Sequence, residues 1–423
     1  MATTPSRSRV LAAGAIGNVL EWYDFSIYGY FAPSIGRTFF PSQDAVTQVL
    51  AAFGVFAVGY LMRPLGGAVL GHIGDRYGRR LALILSISAM AVPTFLVGLL
   101  PGYATLGVMA PLLLTLLRTV QGLSAGGEYT TSFIFVVERA ELGRRGVTGA
   151  LVSCGGVLGI LLGSATGALL AALLSPGQLD SWGWRVPFLF GLVAGAIGLL
   201  LRRGVGDAAE AVADGRSEKS PLVETLRHHG ARVARLVGVC TFNGTAFYLI
   251  FLYVVSWLQR VDGVSPAGSL AINTVSMVAV VPIEVLFGWL SDRVGRKPIL
   301  LLAIRFAFLG ALPLFWLMHH PDPSFELLGE LGFVLAIGAV LGVLPAFLVE
   351  MTTPALRCTT ISLGFNIALG IFGGLSPLAA TWLVDRTAMD LSPAVMIMAA
   401  AVVSFLTILG FVAPTAYRAP ATA

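Results

Sequence analysis

Charge is what this sequence has least of. Of its 423 residues only 12 % are Asp, Glu, Lys or Arg, about half the roughly 25 % of an ordinary soluble chain. Hydrophobic residues reach 56 % and the mean hydropathy is +0.85. A water-soluble fold of this length could not hide so much apolar surface. In lipid, by contrast, each backbone polar group is satisfied inside its own helix. Cysteine is nearly as scarce. Cys154, Cys240 and Cys358 lie far apart in apolar segments with no CxxC spacing, which excludes a disulfide framework and reads as buried, inert thiols. There is no GxGxxG, no P-loop and no His/Cys/Asp cluster. An enzyme is therefore not expected, nor is a metal or an organic cofactor. A cleavable signal is not expected either: Met1–Val10 is polar with Arg7 and Arg9, and the long apolar stretch after it carries acids, as a retained membrane helix does.

Long hydrophobic runs are abundant. A helix needs about 20 mostly apolar residues to cross a bilayer. Twelve such stretches are predicted, near 10–36, 47–72, 81–100, 106–137, 147–174, 185–203, 233–260, 267–290, 298–318, 327–352, 359–384 and 391–416. The 50 glycines fit helices that pack closely without a hydrophobic force between them, and Gly155, Gly159, Gly163 and Gly167 place one every fourth position on one face. The net charge of +5 reports topology rather than nucleic acid. With an intracellular start, 20 of the 27 basic residues fall on inner segments, so both termini are expected in the cytoplasm. Segment Gly204–Arg232 is polar, with nine charged residues among 29. It is expected to link two halves, residues 1–203 and 233–423. Ser220-Pro221 suits an N-cap and first turn, opening a short interfacial helix with Leu222, Val223 and Leu226 on its apolar face.

An internal repeat is the strongest signal. GHIGDRYGRR at Gly71–Arg80 returns as GWLSDRVGRK at Gly288–Lys297, each at the end of the second stretch of its half. Glu138 precedes Arg145 by seven residues and Glu350 precedes Arg357 by seven, each at the fourth-to-fifth junction. Two matched spacings in matched places imply parallel repeats about an axis along the membrane normal. An acid at such a helix end can face the positive N-terminus of a neighbouring helix, and the arginines can pair with Glu138 or Glu350.

These motifs resemble the major facilitator superfamily. AIGNVLEWYDFSIYG in the first stretch, YLMRPLGG, RTVQGLSAGGEYTTS, WGWRVPF and FNIALGIFGGLSP together are similar to its metabolite:proton symporter family, which includes citrate, 2-oxoglutarate, shikimate and proline/betaine carriers. The resemblance covers nearly the whole chain. It implies an all-α integral membrane protein with twelve transmembrane helices in two pseudo-symmetric six-helix halves, set in a bacterial-type inner membrane and working as a monomer. It also implies gating groups: Asp75 and Arg79 with Glu138, and Asp292 and Arg296 with Glu350, closing the cytoplasmic side, with Arg145 and Arg357 at the paired junctions.

The charged residues inside the apolar stretches are candidate functional groups, since they are costly in a bilayer. Asn18, Glu21, Asp24 and Tyr28 share one face at spacings of three and four. Two acids one turn apart repel, and one of them can carry the coupling proton; pairing with an arginine is the plain alternative. Arg118, Gln121 and Glu128 run along the fourth stretch, and Arg63 lies before Pro64 in the second. An arginine fork suits a carboxylate, so Arg63 and Arg118 either bind an anionic substrate or neutralise Glu21, Asp24 and Glu128. Asn243, Tyr248, Tyr253 and Asn366 are candidates from the second half, and Glu284 is a candidate second proton site. Trp22, Trp182, Trp184 and Trp257 suit interfacial anchoring as well as a cage for a quaternary amine.

The expected function is secondary active transport: proton-coupled uptake of a small organic acid by alternating access, with the proton as coupling ion. A proton-coupled carrier of a zwitterionic osmolyte such as proline or betaine is the alternative. Osmosensing relatives often carry a charged C-terminal coiled coil, and Thr415–Ala423 shows no heptads. Efflux by antiport is less favoured, because Gly155-Gly156 lacks the proline of the antiporter signature.

Overall fold

A computed structural model describes residues 7–77, 79–126, 128–202, 221–352 and 357–410. They form twelve helical spans. In the first half these are α1 (Arg7–Tyr30), α2 (Ala45–Leu61, resumed as Arg63–Tyr77), α3 (Arg79–Leu99), α4 (Met109–Ala125, resumed as Glu128–Arg139), α5 (Arg145–Leu173) and α6 (Val186–Arg202). In the second half, α7 runs from Pro221–Tyr248 through a π-helical turn at Leu249–Tyr253 into Val254–Val261. It is followed by α8 (Pro266–Val294), α9 (Arg296–Met318) and α10 (Pro323–Glu350). The last two are α11 (Arg357–Ala368, a π-helical turn at Leu369–Gly373, then Ser376–Thr387) and α12 (Ser392–Leu409).

Among the described residues eight helices are long and apolar enough to cross a membrane. α1 falls short for a physical reason, because it carries Asn18, Glu21 and Asp24 among its apolar residues. The most apolar 18-residue stretches of α7 and α10 are almost wholly buried inside the protein, as befits helices enclosed by others. α9 shows the opposite pattern: Leu302, Phe306, Leu309, Leu312 and Trp316 are exposed at spacings of three and four, a stripe that faces lipid. The polar span expected to end at Arg232 is shorter than its composition implied. Helix α7 starts at Pro221 and continues to Tyr248. Pro221 supplies a preset first turn, and nothing after it stops the helix, so no separate interfacial piece forms. Residues 203–220 lie outside the described residues.

Close helix approach sets the site. A methyl group on Gly122 of α4 would overlap the carbonyl oxygen of Gly59 on α2, and one on Gly66 would overlap that of Leu123. Only glycine lets the two backbones touch in this way. On α5, Gly159 meets the carbonyl of Val19 and Gly163 the hydroxyl of Ser26 on α1, while Gly167 faces Leu270 of α8, so α1 lies on the middle of the predicted small-residue face.

The tryptophans are placed differently from the interfacial expectation. Trp182 is half-exposed, but Trp184 and Trp257 are fully buried. Trp184 packs against Phe39 and Phe188, and Trp257 donates to the carbonyl of Asp390 at 3.0 Å. Trp257, buried with a satisfied N–H, is a core residue, and Trp184 is as deeply buried, with no hydrogen-bond partner for its Nε1.

Candidate transport site

The buried charges of α1, α2 and α4 assemble into two adjacent ion pairs. Arg63 Nη2 lies 2.6 Å from Glu21 Oε1, and Arg118 Nη1 lies 2.9 Å from Asp24 Oδ2. The two acids, one turn apart on α1, therefore each take their own arginine. All four side chains are almost completely shielded. Gln121 donates to both oxygens of Asp24 at 2.9 Å and accepts from Arg118 at 3.0 Å. Thr94 on α3 donates to Asp24 Oδ1 at 2.6 Å. Tyr28 gives its hydroxyl to the carbonyl of Ala52 at 3.0 Å, and its ring lies 3.9 Å from the Arg118 guanidinium. In this arrangement Tyr28 and Gln121 are engaged by the protein itself. A buried carboxylate needs this many donors.

The second half closes over Arg63. Asn366 of α11 accepts from Arg63 Nε at 3.2 Å and donates to the carbonyl of Gly126 on α4 at 2.6 Å. Arg63 also stands over three rings, Trp22 at 5.9 Å, Phe25 at 5.5 Å and Tyr60 at 5.3 Å. Tyr60 and Tyr248 meet edge to face at 5.0 Å, and Trp22 packs on Phe247 at 5.7 Å. The π-helical turn of α11 makes room for them, since Gly373 and Gly374 leave no space for a methyl group beside Tyr248 and Tyr60. Such turns are frequent at functional sites. Several buried polar atoms have no hydrogen-bond partner: Arg63 Nη1, Arg118 Nε and Nη2, both amide atoms of Asn18, Trp22 Nε1, and the hydroxyls of Tyr60 and Tyr248. Buried groups of this kind are ordinarily satisfied by ordered water or a ligand.

Glu284 sits apart on α8. Cys154 of α5 approaches its Oε2 at 3.6 Å, and its Oε1 has no partner. The side chain of Glu128 lies outside the described residues. Two small spaces adjoin the site. One, about 30 Å³, lies inside the first half between Glu21, Asp24, Ser86, Thr94 and Ser124, room for roughly two waters. The other, about 10 Å³, lies between Tyr129, Asn243, Pro345 and Phe365 where the halves meet. Neither is large enough for a metabolite.

Each end has its own closure. At the basic end, Asp292 of α8 accepts from the backbone amides of Gly146 and Val147 at 2.8 and 3.0 Å. It thereby caps α5 of the other half, where a negative charge is favoured. Arg296 joins Asp292 at 2.8 Å and Glu350 at 3.1 Å. Glu138 pairs with Arg357 across the halves. The side chains of its expected partners Asp75 and Arg79 lie outside the described residues. Arg145 opens α5 beside the capped amides. At the opposite end, Ser164 of α5 meets Thr274 of α8 at 2.8 Å.

Two groups escaped the sequence reading. Thr94 is a lone hydroxyl in an apolar helix, with no signal beyond its partner. Glu330, fully buried in α10, follows Pro323 by two turns and reads as an ordinary acid near a helix start.

The Major Facilitator Superfamily profile matches residues 14–352. The chain belongs to that superfamily. It is 32 % identical to the proline/betaine transporter of Salmonella typhimurium over 413 residues, 94 % of this chain and 82 % of that one. It is 33 % identical to the glycine betaine/proline/ectoine/pipecolic acid transporter of Dickeya dadantii, with the same coverage. Among solved structures, a D-xylose-proton symporter superposes with a TM-score of 0.75 over 97 % of this chain and 99 % of that one, at 18 % identity. The xylose transporter of E. coli in a partially occluded inward-open conformation gives 0.74 over 98 % and 99 %, also at 18 %. At that identity the likeness establishes the twelve-helix fold. The protein is a multi-pass membrane transporter and not an enzyme.

Proposed function

We propose that this protein carries a zwitterionic osmolyte of the betaine or proline type inward together with a proton, by alternating access. The observation that supports it most is the aromatic cluster of Trp22, Tyr60, Phe247 and Tyr248 beside the free Nη1 of Arg63. A ligand whose cation and carboxylate are a few bonds apart spans that distance. Its quaternary or secondary ammonium lies on the rings, worth about 0.5–2 kcal/mol per contact, and its carboxylate takes the open arginine donor. The charge balance of the site supports the same reading. Glu21 and Asp24 neutralise Arg63 and Arg118, so no positive excess remains for a di- or tricarboxylate, and the organic-acid expectation loses its physical support. The names of the two relatives at 32 % and 33 % identity favour the zwitterion as well.

Asp24 is the first candidate for the coupling proton, because the small cavity behind it gives water a place beside the carboxylate away from the substrate side. Glu21, Glu128 and Glu284 are the further candidates for that proton. Residues 1–203 and 233–423 move as the two rocking bodies. The basic end, with Asp75, Arg79, Glu138, Arg145, Asp292, Arg296, Glu350 and Arg357, faces the cytoplasm, and both termini lie on that side of a bacterial inner membrane.

Purified protein in proteoliposomes under an imposed inward proton gradient tests this. Labelled glycine betaine and proline should accumulate, a protonophore should abolish the accumulation, and labelled citrate and 2-oxoglutarate should not enter. Trp22→Ala should raise the KM for betaine about 2- to 30-fold, the loss of one cation–π contact. Accumulation of citrate without betaine would overturn the proposal.

A further inference from the structure

A buried carboxyl of the second half stands outside the two ion pairs. Glu330 on α10 is fully shielded, about two turns from the outer end of its helix, and its Oε2 has no partner. Asn273 of α8, in the amide orientation that satisfies both of its polar atoms, donates Nδ2 to Glu330 Oε1 at 3.1 Å and to the carbonyl of Phe251 on α7 at 3.3 Å. Its Oδ1 then accepts from Tyr30 of α1 at 2.9 Å and from Ser164 of α5 at 3.0 Å. Ser276, one turn along α8, is also fully buried with an unpartnered hydroxyl. Five helices, two from the first half and three from the second, thus converge on one amide and one carboxyl at the outer closure.

No cation compensates this carboxyl among the described residues. The ionisable groups at this end of the elements around it are Tyr30 from α1, Tyr253 and Arg260 on the outer part of α7, Glu326 one turn outward on α10, and the Asp262–His319 pair at the outer ends of α7 and α9, joined at 2.7 Å; Arg260 makes no ion pair with Glu330. α5 and α8 present Ser164, Asn273 and Ser276, and α7 a backbone carbonyl. An ionised, covered carboxylate here would be an unpaired buried charge, among the costliest things a protein can hold. A protonated one is an O–H donor with Ser276 beside it.

We propose that Glu330 is a proton-binding site of the outer closure: outer-side water protonates it as Tyr30, Ser164 and Asn273 close over it, and reopening returns the proton to the same side. The site acts as a latch set by external pH. It moves no proton across the membrane, so it leaves coupling at Asp24 untouched. It rests on the alternating-access reading above but not on the identity of the substrate.

The test needs no substrate. Spin labels on Leu173→Cys and Ala271→Cys, both exposed near the outer ends of α5 and α8, report the outer opening of the full chain in lipid nanodiscs, with Cys358→Ser as background. Between about pH 5 and pH 9, the range over which a buried carboxyl titrates, the open fraction of the parent should rise. Glu330→Gln should stay closed and flat with pH, while Asp24→Asn should keep the transition. Tyr30→Phe removes one bond between the halves without altering charge, and should raise the open fraction at each pH by roughly two- to tenfold. A parent curve that is flat, or a Glu330→Gln curve that follows the parent, overturns the proposal. If Glu330→Gln does not fold, a Tyr30→Phe curve lying on the parent's has the same force.

Discussion

At the level of single residues, the site is governed by what a buried ion requires. Asp24 is held by Arg118, Gln121 and Thr94 together, so its removal leaves a guanidinium stranded in the core. Asp24→Ala should lower stability by about 3–5 kcal/mol, as breaking one partner of a buried pair does, and the melting temperature in detergent should fall accordingly. Asp24→Asn, which keeps the size and much of the hydrogen bonding, should lose less. If the two variants melt together, the charge of Asp24 is not what holds Arg118. The helical spacing of Asn18, Glu21, Asp24 and Tyr28 marked this face of α1 in advance, because side chains three and four apart must point together. Partners were not legible in the same way. Periodicity places a residue on a face of its own helix and says nothing about which neighbour comes to meet it. Arg63 therefore could not be assigned to Glu21 from spacing, and Thr94 gave no signal at all.

At the level of elements, glycine fixes how near the helices come and hence where the arginines point. Gly122→Ala would push α4 off α2 at the backbone and should cost about 1–3 kcal/mol through overpacking. It should also shift Arg118 relative to Asp24. Thermal unfolding, together with betaine uptake at equal protein load, measures both consequences, and an unchanged melting temperature would show that the backbones separate freely. The twelve spans were readable because apolar length is set by the bilayer. The π-helical turns in α7 and α11 were not, since one extra residue per turn changes no composition. The start of α7 at Pro221 was half-legible: the proline marked the beginning, while the polar residues after it masked a helix that is carried onward by its buried second part.

At the level of the whole molecule, the contacts that join the halves at the two ends differ in chemistry. The set at the basic end is ionic, with Asp292 on the amides of Gly146 and Val147 and Arg357 with Glu138. The outer one is built of hydroxyls, an amide and one carboxyl. Weakening the ionic end should bias the protein toward opening at that end. Asp292→Asn removes a charge at a helix N-terminus worth up to about 2 kcal/mol in partly buried geometry, a shift of up to roughly 30-fold. Alkylation of a cysteine placed at Leu341, which lines the small interface cavity, should speed up by a comparable factor. No change in rate would mean that Asp292 contributes nothing to closure.

The equal numbers of acids and arginines at the centre bear on how the membrane voltage acts. With Glu21 and Asp24 ionised, the unloaded core formed by these two acids and two arginines has no net charge, and its return across the field does no electrical work. A zwitterion adds none, and one proton adds a single unit. On the proposed mode of transport the voltage acts on this four-residue core only in the loaded passage, by about 2.3 kcal/mol per 100 mV, and the core adds no voltage dependence to the return of the empty carrier.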